Sequence, residues 1–158
     1  MKARRAPRQA EVQHVREEFQ SQIEIASELA AAVRRAFQAQ VGSGKGLNYF
    51  QVCRATELAF MAVCASWEDF LEGTMIRYLL GAEAPSGYSP SLRCGKCVSI
   101  AHAYQVLSGD PDYSSEVDHM TWTNPAYVMR LADVFFADGE PFRAAMESSC
   151  DALKQAPK

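Results

Sequence analysis

The chain has no run of about 18 consecutive apolar residues, so no membrane-spanning helix is expected. It also lacks any segment that alternates apolar and polar residues as a half-buried strand does. Its histidines are His14, His102 and His119 alone, which leaves imidazole chemistry few places to be built. The cysteines Cys53, Cys64, Cys94, Cys97 and Cys150 are odd in number, so they cannot all pair within one chain. The start is basic, but no apolar run follows it, which excludes a secretory signal by pattern. All five thiols are therefore expected to be reduced, in a cytoplasmic protein. Internal repeats are missing as well.

A 48% apolar fraction beside 22% charged residues, over 158 residues, fits one globular domain able to bury a core. Net charge is −3, giving no global attraction to nucleic acid. Lys2, Arg4, Arg5 and Arg8 place +4 on residues 1–9 and leave −7 on the rest. Such an arm suits contact with phosphates, or simply solvation. The expected organisation is a flexible basic arm over 1–9 and one helical domain over 10–158.

Hydrophobic periodicity supplies the fold class. Val12, Val15, Phe19, Ile23, Ala26, Leu29 or Ala30, Val33 and Phe37 recur at steps of three and four, which predicts a helix from Ala10 to Val41. Gly42-Ser43-Gly44-Lys45-Gly46 ends it, because glycine is costly inside helices. A second helix is expected from an Asn48 cap to Leu80. Between Leu58 and Leu71 that helix is apolar on most sides, which predicts a buried central element. Gly73 is a candidate bend, and residues 84–95, with two prolines and two glycines, read as a loop. A shorter helix follows over Lys96–Leu107, with Ile100, Tyr104 and Leu107 on one face. The acidic residues Asp110, Asp112, Glu116 and Asp118 mark an exposed connection. Asn124-Pro125 opens a fourth helix running to Gly139, and Glu140-Pro141 opens a fifth carrying Phe142, Met146, Cys150 and Leu153. The expected fold is all-α, a bundle of about five helices whose first two are long.

Few motifs carry chemistry. The glycine turn resembles a phosphate loop only superficially: Ala39 stands where the first glycine belongs, and Gly46 where Mg²⁺ needs a hydroxyl. Cys94-Gly95-Lys96-Cys97 has the spacing with which two thiolates grip zinc, and His102 follows at knuckle spacing. Leu107 occupies the fourth ligand position, so Cys94, Cys97 and His102 are weak metal candidates. No metal and no cofactor is the expectation. Trp67-Glu68-Asp69-Phe70-Leu71 sets two carboxylates among large apolar residues. Since a buried carboxylate costs several kcal/mol unless paired or hydrogen-bonded, either these acids face outward on a thin polar seam or one has a specific partner.

Ala65-Ser66-Trp67-Glu68-Asp69-Phe70-Leu71-Glu72 resembles the signature of the HEPN superfamily's second long helix, in the RiboL-PSP-HEPN branch of bacterial defence and toxin proteins. Trp122-Thr123-Asn124-Pro125, with Val128, Leu131, Phe135-Phe136 and Gly139-Glu140-Pro141-Phe142, is similar to the proline-started helix before that family's catalytic helix. The likeness covers residues 10–155. It implies a HEPN-like bundle, a homodimer, and a metal-independent endoribonuclease, with RNA a partner of the parent protein. Catalytic members carry an Arg and, four to six positions later, a His on the final helix. Arg would stabilise charge developing on the phosphate and His would move a proton. No such pair follows Phe142 here, and Arg8 with His14 matches by count only. The catalytic motif is thus expected to be absent from these residues, with Glu68 the one candidate for a supporting polar contact. The alternative is a non-catalytic helical module, antitoxin- or adaptor-like, that binds a protein partner.

Overall fold

A computed structural model of the chain describes residues 9–39, 46–109 and 122–155. The basic residues at 2–8, residues 42–45 of the glycine turn, and the acidic connection with His119 lie outside them. The fold is all-α. Among the described residues it has α1 (Gln9–Ala39), α2 (Tyr49–Leu79), α3 (Ile100–Ser108), α4 (Pro125–Phe135) and α5 (Phe142–Gln155). A 3-10 turn, Ala137–Gly139, lies between the last two. The described residues fall into two compact units: 15–70, and 9–14 with 71–155.

The first unit is a helical hairpin of α1 and the first two-thirds of α2. Its second helix starts where the sequence places it, at a reciprocal cap. Asn48 Oδ1 accepts from the Gln51 N–H at 2.9 Å, and Gln51 Oε1 accepts from the Asn48 N–H at 2.9 Å. Val15, Ala26 and Ala59 are buried. The rings of Phe19, Trp67 and Phe70 form a cluster with centroids 4.9 to 5.8 Å apart. The expected burial of the stretch from Leu58 to Leu71 holds only in part, at Ala59 and Leu71. Leu58 is 67% exposed, Phe60 64% and Met61 62%. Within this unit α2 packs against one partner helix, and one helix covers only one side of another.

The buried part of α2 lies in the second unit. Leu71, Met75, Ile76, Tyr78 and Leu79 are at most 5% exposed, and Ala82 just beyond is fully buried. Around them are Ala103 and Leu107 of α3, Val128, Leu131, Ala132 and Phe135 of α4, and Phe142 and Met146 of α5. Tyr78, Phe136 and Phe142 form a second ring cluster, with centroids 5.5 to 6.4 Å apart. The helix runs through Gly73 without interruption, so the candidate bend is not used.

Two helix boundaries differ from expectation for visible reasons. The third helix begins at Ile100 and not at Lys96, because Ser99 is its cap: extended at φ −157°, it accepts from the His102 N–H with its hydroxyl. The residues before it form an extended strap. Its Cys97 N–H donates to Leu79 O at 2.8 Å, Arg93 N–H to Phe135 O at 2.9 Å, and Ala137 N–H to Ser91 O at 2.8 Å. That strap ties the last turn of α2 to the end of α4. Ile100 is 57% exposed, so it does not share the buried face of Leu107. The fourth helix starts as expected, with Asn124 Oδ1 accepting from Ala126 N–H and Tyr127 N–H. It ends at Phe135, ahead of Gly139.

Gly139 is required by its surroundings. Its φ is +72°, and a Cβ there would stand 2.5 Å from Asp133 Oδ1 and 3.3 Å from Arg143 Nε. Those two side chains are bonded to each other, Arg143 Nη2 lying 2.6 Å from Asp133 Oδ1. Gly139→Ala is expected to cost about 2–3 kcal/mol, from left-handed backbone strain and displacement of this pair. Gly87, at φ +82° with open space around it, should lose only the backbone part on the same change, about 1 kcal/mol. Urea unfolding of both variants measures the difference.

Candidate functional site

Glu72 is a carboxylate that the fold holds from two sides. It lies one turn beyond Glu68 along α2, in register with Met75 and Leu79, and its two oxygens accept from two distant residues. The Tyr104 hydroxyl, on α3, donates to Oε1, and Trp122 Nε1 donates to Oε2 at 2.7 Å. Trp122 is 2% exposed and stands edge-on to Tyr127, centroids 6.3 Å apart. A charged acceptor thus satisfies the donors of two large aromatic side chains at the margin of the core. One carboxylate pins α2, α3 and the entry to α4 together. Of the two acids singled out by sequence, Glu68 is half-buried and Asp69 is exposed. The signal for Glu72 was its place in the apolar i, i+3, i+7 register. Its partners, 32 and 50 residues away, left no local trace.

The metal candidates do not converge. His102 Nδ1 accepts from the Val98 N–H at 3.3 Å, so this nitrogen closes the first turn of α3. No group of three His, Cys, Asp or Glu able to hold a metal ion occurs among the described residues. Cys94 is half-buried, whereas Cys97 is 6% exposed. Burial, and then the neighbouring Cys94, push the Cys97 thiol above its ordinary value. Cys53, Cys64, Cys94 and Cys97 are unpaired in the structure; Cys150 lies outside the described side chains. His14 is exposed.

The other built feature is a face of the hairpin. An open groove of about 700 Å³ is lined by Phe37, Val52, Cys53 and Phe60, with Arg34 and Glu57 among the polar residues at its edge. Tyr49, 72% exposed, stands at its end. A hydrogen bond with Cys53, followed by that thiol's charge, raises the Tyr49 hydroxyl above its usual titration range. Beyond the groove, the solvent side of α2 continues with Phe50, Leu58 and Met61. Its charges there are Arg54 and Glu57, 2.8 Å apart.

Compared with known proteins, the chain matches no family model, no curated protein and no solved structure. No helix among the described residues is long and apolar enough to cross a membrane.

Proposed function

We propose that this chain is a HEPN-like helical interaction module that pairs with a second copy of itself through the outer face of α2, and that its described residues carry out no catalysis. The exposed apolar face of the hairpin supports this reading. Tyr49, Phe50, Leu58, Phe60 and Met61 are 62–72% exposed. With full areas of about 150–250 Å² each, they present roughly 600 Å² of apolar surface. That is at the upper end of what monomers expose, and close to the ~800 Å² per partner that a stable interface buries.

A second copy fits this face by charge as well as by area. Arg54 and Glu57 lie three residues apart near the middle of the apolar stretch. An antiparallel two-fold packing of α2 on α2 brings each Arg54 toward the other copy's Glu57, so the face is self-complementary. The interaction reading also agrees with α5. Its Arg143 is bonded to Asp133 and Glu147, and its sequence, Phe142–Gln155, holds no histidine to act with an arginine.

The test is a double substitution, Phe60→Asp with Met61→Asp, followed by light scattering and circular dichroism. Both side chains already face solvent, so helicity should be unchanged while dimer converts to monomer. An unchanged dimer would reject this face as the interface. RNA incubated with the unaltered chain should stay intact, and cleavage that follows the protein through purification would overturn the non-catalytic assignment.

A further inference from the structure

The strap that links α2 to α4 contains two thiols separated by two residues. We propose that Cys94 and Cys97 form a redox-responsive pair, which closes to a disulfide by exchange with a small-molecule disulfide such as glutathione disulfide. Four observations carry this. Cys94 is the accessible member, half-buried on an irregular segment, and Cys97 is the enclosed one at 6% exposure. The two thiols are separated by only two residues on the same strap, and Cys94 contributes, after burial, to the raised proton affinity of Cys97. Between them Gly95 has nothing within 4 Å of its Cβ position, so the turn that separates the thiols has open space beside it. Finally, the strap is anchored on both sides, at Arg93 to Phe135 and at Cys97 to Leu79, so both thiols stay on one short tethered segment.

The division of labour follows from accessibility. The Cys94 thiolate attacks one sulfur of glutathione disulfide, its S–S bond breaks, and one glutathione leaves as a thiolate. Cys97 then gives its proton to water, attacks the Cys94 sulfur, and expels the second glutathione. The protein pair loses two electrons and two protons, and glutathione disulfide gains them. Cys97, 6% exposed, is too enclosed to make the first attack but lies only three positions along the strap from the sulfur on which the mixed disulfide forms. Cys53 and Cys64 have no neighbour at this spacing and should instead retain glutathione when they react.

The chain supplies its own diagnostic. Trypsin cuts after Arg93 and after Lys96, so the Cys94–Lys96 fragment stays attached to the peptide beginning at Cys97 only through a disulfide. The native chain would be equilibrated with increasing ratios of oxidised to reduced glutathione, digested, and analysed by mass spectrometry. Linked peptides should accumulate in the wild type. In Cys97→Ser, glutathione should remain on Cys94; in Cys94→Ser, Cys97 should stay unmodified. Circular dichroism confirms that both variants are folded. Glutathione persisting on wild-type Cys94 without linkage would overturn the pairing, as would two thiols unchanged at every ratio. Modification of Cys97 in Cys94→Ser would overturn the assigned order of attack.

Discussion

Replacing Glu72 with alanine is expected to lower stability by about 2–4 kcal/mol, although Glu72 lies at the margin of the core. The substitution withdraws the acceptor shared by the Tyr104 hydroxyl and Trp122 Nε1. Both bonds end on a charged group, and such bonds contribute about 1.5–3 kcal/mol each, though not additively. Trp122 is 2% exposed, so its ring nitrogen is poorly placed to exchange the lost oxygen for solvent. Glu72→Gln keeps one carbonyl oxygen and should cost less, about 1–2 kcal/mol. Tyr104→Phe removes a single donor and should cost about 1 kcal/mol. Thermal unfolding ranks the three, and the alanine variant should melt roughly 10 °C below the wild type. Equal midpoints for alanine and glutamine would show that the carboxylate does not hold these elements together.

Phe136→Ala should be more damaging, at about 3–5 kcal/mol. Phe136 is completely buried between Tyr78 and Phe142, and its backbone is engaged on both sides. Its N–H donates to Ala132 O and its carbonyl accepts from Arg93 Nε at 3.1 Å. The surroundings are therefore held in place and cannot collapse into the space vacated. A loss of that size is a large fraction of the ~5–15 kcal/mol typical of a whole domain. Phe136→Leu, which refills most of the volume, should lose about 1–2 kcal/mol. Chemical denaturation with intact thiols compares the two.

The elements that rest on local chemistry were legible in the sequence. The two long helices, the Asn48 and Asn124 caps and the helix opened at Pro141 announce themselves within a few residues. The start of α3 at Ile100 was harder to place, because the strap from Ser91 to Cys97 is fixed by hydrogen bonds to Leu79 and Phe135, which are distant in sequence. Burial was misjudged at Leu58, Phe60 and Met61 for a more general reason. Periodicity shows that a helix is apolar on most sides, but not how many of those sides the rest of the chain covers. Likewise, Glu68 was the acid singled out from the sequence, whereas the role of Glu72 depends on Tyr104 and Trp122 reaching it from 32 and 50 residues away.

The most direct test of the self-pairing module is sedimentation equilibrium of the unaltered chain over a hundredfold range of concentration. The account predicts a species of twice the 17.5 kDa chain mass, dissociating on dilution into a single monomeric species. A mass that stays at one chain throughout, with the hairpin helices still folded, would contradict it.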